Sequence, residues 1–133
     1  MSKIRVSWEI TDNWDIDSFR RFIKLLLSDD EKYEVFIISN DDTAARIVTI
    51  GNSLGLLSSE IIICNFTADK VQAIIDNEID IHLDNLQSFV MLVDETTDAY
   101  GILVTPNLNR FYVESDFIIV FNKLVKQINT SET

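Results

Sequence analysis

The order of apolar segments predicts a three-layer α/β fold with a central, mainly parallel sheet of about five strands and no large cap domain. Five short apolar runs with strand character are separated by segments whose apolar residues recur at helical spacing. Such alternation is typical of crossover connections between parallel strands. The length of 133 residues, 47% of them hydrophobic, suits a single domain, expected over residues 1–128 with a polar tail at 129–133.

The strands are predicted from two kinds of apolar pattern. Ile4, Val6 and Trp8 alternate with polar residues, which predicts a half-buried strand within Lys3–Ile10. Glu34–Ile38 is a continuous apolar run, typical of a strand covered on both faces. The remaining strands are expected at Ile61–Ile63, Ile79–Leu83 and Tyr100–Val104, the last of them ended by Pro106.

Helical spacing of apolar residues predicts five helices, in the ranges 16–27, 44–54, 67–75, 86–93 and 117–128. Gly51 and Gly55 are expected to close the second helix, and Thr67 is expected to be the N-cap of the third. The run FVMLV at 89–93 is ambiguous between a strand and a buried helix, and the alternation of strands with helices favours a helix.

Acidic residues outnumber basic ones by 22 to 11, which gives a net charge of −11. Direct nucleic-acid binding is a poor expectation, because clustered Lys and Arg hold phosphate backbones and residues 76–98 contain neither. A protein with a basic surface is the favoured partner, and Asp94, Glu95 and Asp98 are the candidate contact residues. A solvated acidic surface that only maintains solubility is the other interpretation.

Cysteine content and hydropathy give expectations about the compartment. Cys64 is the only cysteine, which excludes an internal disulfide. The first 13 residues have no apolar signal-peptide core, and no apolar run approaches the roughly 18 residues of a membrane span. We therefore expect a cytoplasmic protein without membrane contact.

Polar residues follow several of the predicted strands, at the sheet edge where α/β proteins bind ligands. They are Glu9, Thr11, Ser39, Asn40, Asn65, Thr67, Asp84 and Asn85.

These positions resemble the motifs of the haloacid dehalogenase (HAD) phosphatase superfamily. The best local match is DKVQAIIDNEIDIHLDN at 69–85, which resembles the family's lysine, helix, apolar strand and acidic end. FIISN at 36–40 is similar to its second motif. The resemblance implies a Rossmann-like, HAD-like fold, and it implies a phosphate site at Thr11, Ser39, Asn40 and Lys70. Asp84 would be a weak Mg²⁺ ligand, with no other cofactor expected.

The first motif departs from the family pattern. Ser7 stands where the resemblance requires the nucleophilic Asp, and Glu9 stands where it requires the second acid. A serine hydroxyl is not an ionised nucleophile without an adjacent base, and His82 is expected to be a buried residue of another strand. Asp15 and Asp17 have the right spacing but would open a helix. Ser7 and Glu9 are thus a degenerate catalytic motif.

Three functions remain open. The first is a catalytically inactive HAD-like protein that binds a basic protein through its acidic surface, or a phosphorylated small molecule in a vestigial pocket. The second is a weak Mg²⁺-dependent phosphatase or nucleotidase in which Glu9, Asp84 and a metal-held water act. The third is an acidic mimic of nucleic acid that inhibits a basic protein.

Overall fold

A computed structural model describes residues 3–9, 17–40, 44–104, 106–107, 110–111 and 114–131. Five strands form one sheet: β1 (Ile4–Trp8), β2 (Tyr33–Ser39), β3 (Ile61–Ile63), β4 (Ile81–Asp84) and β5 (Tyr100–Leu103). Their order is β3-β2-β1-β4-β5, and every neighbouring pair is parallel. The predicted parallel sheet of five strands is confirmed.

Helices cover both faces of the sheet. They are α1 (Asp17–Ser28), α2 (Ala44–Ser53), α3 (Thr67–Asp76), α4 (Gln87–Thr96) and α5 (Glu114–Ser131). One core cluster packs α1, α2 and α5 against the sheet, and a second packs α3 and α4 against the opposite face. The chain therefore has the three layers of a Rossmann-like fold. The described residues between β1 and β2 contain α1 alone, so this part of the chain holds no cap domain.

Aromatic side chains organise the first core cluster. The rings of Trp8 and Phe19 meet edge to face with centroids 5.7 Å apart, which locks α1 onto β1. Phe22 and Phe121 meet in the same way at 5.0 Å, so α5 packs beside α1. Cys64 lies in the second cluster, and burial raises the pKa of its thiol, as expected of a small buried apolar residue.

Several local expectations need correction. Phe66, not Thr67, is the N-cap of α3, and the Asp69 carboxylate accepts its backbone N–H at 3.1 Å. Gly51 lies inside α2, where a Cβ would stand 2.7 Å from Ile61 Cγ1, whereas Gly55 follows the helix with a φ of +78°. The helix α5 continues to Ser131, so residues 129–131 are helical and not part of a tail.

Smaller differences concern the ends of elements. Ser39 is the last residue of β2, whereas the apolar run predicted a strand that ends at Ile38. A two-stranded antiparallel hairpin, β6 (Pro106–Asn107) with β7 (Arg110–Phe111), follows β5 and was not predicted. Residues 89–93 lie in α4, as the alternation of elements predicted. Among the described helices, none combines the length and apolar character that a bilayer span requires.

Candidate functional site

The site lies between the carboxyl ends of β1, β2 and β4 and the two helices α3 and α4. Side chains alternate along a strand, so the residues that flank Trp8 face away from the first core cluster. On β1 and just after it, these are Ser7 and Glu9. His82 and Asp84 occupy the equivalent positions on β4, and Ser7 pairs directly with His82 across the sheet. Four polar side chains thus face the α3–α4 layer.

Lys70, in the first turns of α3, is the centre of the site. Its ammonium donates to Glu9 Oε1 at 2.8 Å and to Asp84 Oδ2 at 2.9 Å. The same nitrogen lies 4.1 Å from the centroid of the Phe89 ring, a distance at which cation–π attraction operates. Lys70 is only 3% exposed, and each of the two carboxylate residues is 1% exposed. One buried cation therefore bridges two buried anions.

Ser39 and Asn40 complete the surroundings of Glu9. The Ser39 hydroxyl donates to Glu9 Oε2, and the backbone N–H of Asn40 donates to Oε1 at 3.2 Å. The two donors come from the end of β2, which is the strand adjacent to β1. The fold therefore brings together Ser39, Glu9 and Lys70. The resemblance implied that Ser39 and Lys70 hold a phosphate, and here both bond to Glu9.

Ser7, His82 and Asp84 form the other half of the site. The Ser7 oxygen lies 2.7 Å from His82 Nδ1, and His82 Nε2 lies 2.9 Å from Asp84 Oδ2. Burial lowers the pKa of His82, so its ring is neutral at pH 7. Burial alone would raise the pKa of Asp84, but the hydrogen bonds from His82 and Lys70 and the positive charge of Lys70 outweigh it and lower that pKa.

These protonation states assign each proton. Because the Asp84 carboxylate can only accept, His82 carries its proton on Nε2, and the Ser7 hydroxyl donates to Nδ1. The expectation that Ser7 has no adjacent base is therefore wrong, since β4 lies beside β1 in the sheet. His82 is, as expected, a buried residue of the sheet, with no exposed surface. We refer to Ser7, Glu9, Ser39, Lys70, His82 and Asp84 together as the Lys70 network.

The carboxylates of the Lys70 network do not fit a Mg²⁺ site. Both oxygens of Glu9 accept hydrogen bonds, and Asp84 Oδ1 accepts the backbone N–H of Leu86 at 3.0 Å. The ammonium of Lys70 occupies the position between the carboxylates that a shared cation would need. In the described part of the chain, no three His, Cys, Asp or Glu residues are grouped as metal ligands. Asp84 therefore acts as an ion-pair partner in this arrangement.

The other predicted site residues lie outside the Lys70 network. Asn40 is exposed and contributes its backbone alone, and Asn85 is half-buried. Thr11 and Asp15 lie outside the described residues. Asp94, Glu95 and Asp98 are exposed at the end of α4 and beyond it, as expected of surface residues. The Asp94 carboxylate accepts the backbone N–H of Gly101 at 2.8 Å, so it also anchors the start of β5.

Comparison of the chain with models of protein families, with curated proteins and with solved structures gave no match. The site and the fold are therefore the basis for any functional conclusion. Sequence reasoning missed the contact between Ser7 and His82 and the position of Phe89 beneath Lys70. The sequence does show that Ser7 and Glu9, and likewise His82 and Asp84, are two residues apart and so share one face of a strand. It does not show that these two strands are adjacent in the sheet.

Proposed function

We propose that this chain is a catalytically inactive, HAD-like binding protein that recognises a protein partner with a basic surface. The observation that carries the proposal is the closed Lys70 network, in which the candidate catalytic groups neutralise one another and no member is more than 3% exposed. Charge available for binding therefore lies elsewhere on the molecule.

Burial and bonding both oppose catalysis by the degenerate motif. Ser7 has no exposed surface, so a substrate cannot reach its hydroxyl in this arrangement, even though that hydroxyl donates a hydrogen bond to His82. The buried Lys70 ammonium is shared by Glu9 and Asp84, so a phosphate entering here would meet two carboxylates whose lysine counter-charge is already engaged. Breaking such a buried pair costs about 3–5 kcal/mol, which a ligand would have to offset.

The α3–α4 layer carries the uncompensated negative charge. Residues 71–109 contain no Lys or Arg, and Lys70 is buried and neutralised. We call the exposed residues Asp76, Glu78, Asp94, Glu95 and Asp98, at the carboxyl-terminal ends of α3 and α4, the acidic face. A surface of one sign steers an oppositely charged protein over about 8–10 Å at physiological salt.

Affinity capture from the native cell extract, with paired charge reversals, tests this proposal. Asp76→Lys combined with Glu95→Lys should release a basic partner, and added salt should weaken its capture. Asp29→Lys combined with Asp30→Lys is the matched control, because it changes net charge equally on the exposed turn after α1. If both pairs act alike, total charge and not the acidic face governs binding. A partner lost through Ser39→Ala alone would favour the vestigial pocket.

A hydrolytic function is the second candidate, because the contact between Ser7 and His82 pairs a hydroxyl with a base. Release of nitrophenol from an aryl phosphate, with and without Mg²⁺, measures it directly. We expect turnover far below about 1 s⁻¹, the lower end of ordinary enzyme rates. Turnover above that rate that disappears in Ser7→Ala would replace the binding proposal with an enzymatic one.

A further inference from the structure

A small groove opens between the carboxyl-terminal ends of α3 and α4, within the acidic face. Its volume is about 200 Å³. Ile74, Ile79 and Ala99 form an apolar floor, and Glu78 and Asp98 stand at its rim. The groove is smaller than the roughly 300–1,000 Å³ typical of small-molecule pockets. Its size suits a single side chain better than a metabolite.

The charge at the rim is available to a ligand. Glu78 and Asp98 are exposed, and no side chain in the described part of the chain forms a hydrogen bond or ion pair with either carboxylate. The Arg5 guanidinium lies nearby, but it bonds to the Asn77 carbonyl at 2.7 Å and pairs with Glu34 at 3.3 Å. The carbonyl ends of α3 and α4 add partial negative charge, which favours a cation in the groove.

We propose that this groove receives one arginine side chain of the protein partner. The aliphatic stem of that arginine would lie on the floor of Ile74, Ile79 and Ala99, and its guanidinium would meet the carboxylates of Glu78 and Asp98. Arginine fits both parts, since it packs an apolar stem and offers five N–H donors in a planar fork. This inference rests on the proposed function and names the anchor point of the partner on the acidic face.

Binding of fluorescein-labelled hexa-arginine and hexa-lysine peptides to the full chain tests the groove. The chain should bind the arginine peptide more tightly, and Glu78→Gln combined with Asp98→Asn should weaken that binding at least tenfold. The matched control is Asp29→Asn combined with Asp30→Asn, which removes the same charge from exposed positions outside the acidic face. We expect the control to weaken binding less than threefold. Unchanged thermal midpoints verify that both variants fold.

The outcomes separate the groove from total charge and from the acidic face as a whole. Equal loss in the two variants overturns the groove, because total charge then governs binding. Equal affinity for the two peptides also overturns the groove and leaves the acidic face as a surface that attracts cations without an anchor point. Failure of the chain to bind either peptide also overturns the groove. Capture of the native partner that survives Asp76→Lys with Glu95→Lys contradicts the proposed function itself, whatever the peptides show.

Discussion

Replacing Lys70 with methionine should strongly destabilise the fold, because it removes the ammonium between Glu9 and Asp84 while keeping an unbranched side chain as far as Cε. Both carboxylates are only 1% exposed and would remain without this cation. Removing one partner of a buried ion pair typically costs about 3–5 kcal/mol. Since domains of this size are stable by about 5–15 kcal/mol, Lys70→Met should lose a large part of the free energy of unfolding at pH 7.

Urea unfolding followed by tryptophan fluorescence measures this loss, with an unchanged m-value as the sign that the unfolded states are comparable. Lys126→Met on the exposed side of α5 is the matched control and should change stability by less than about 0.5 kcal/mol. Adding Glu9→Gln and Asp84→Asn to Lys70→Met should recover more than half of the loss, because the uncompensated charges are then gone.

The deficit of Lys70→Met should also narrow as the pH falls, since protonated carboxyl groups no longer require a counter-charge. A Lys70→Met variant as stable as Lys126→Met would contradict this prediction. It would mean that Glu9 and Asp84 find water or another partner, and that the Lys70 network does not close the site. Catalysis at Ser7 would then no longer be opposed by a closed Lys70 network.

Two further predictions concern the same layer of the fold. Burial lowers the pKa of His82, so the unfolded chain binds more protons than the folded one below the ordinary histidine value of about 6.5. The free energy of unfolding should therefore be fully retained above pH 6.5 and fall by up to about 1.4 kcal/mol per pH unit below it. Unfolding measured from pH 7.5 to 5.5 should show that slope in the parent chain and not in His82→Gln. An unchanged slope in His82→Gln would contradict the lowered pKa of His82. Gly101→Ala should lower the free energy of unfolding by about 1–3 kcal/mol, because the added Cβ would lie 2.8 Å from the Val90 carbonyl oxygen. A thermal midpoint equal to that of the parent chain would contradict this, since it would mean that α4 shifts to make room.

Much of the secondary structure could be predicted, because apolar periodicity is a local property of the chain. The third strand lies at Ile61–Ile63 as expected, and the first and last strands differ from their predicted bounds by one or two residues. Cap and turn details were less predictable. Phe66 is the N-cap because the Asp69 carboxylate accepts its backbone N–H. The sequence favoured Thr67 instead, since threonine has a hydroxyl that commonly caps helices.

Most residues of the candidate site could be predicted from the sequence, but the hydrogen bonds and ion pairs among them could not. Polar residues after parallel strands converge at one sheet edge, so Glu9, Ser39 and Asp84 could be named together from the sequence, and the HAD resemblance added Lys70. Their bonds to one another could not be predicted. Whether Lys70 faces a ligand or two carboxylates depends on distances near 3 Å, which spacing along the chain does not determine.

The α/β class, the alternation of strands and helices, and the acidic character of residues 76–98 can all be read from the sequence. Each follows from composition or from periodicity within one element. Pairing of strands in the folded chain places β4 beside β1, and hence brings Ser7 and His82 into register. The tertiary structure also buries Lys70 between two carboxylates. Strand order and register depend on contacts between residues up to 75 positions apart, and no local pattern specifies them.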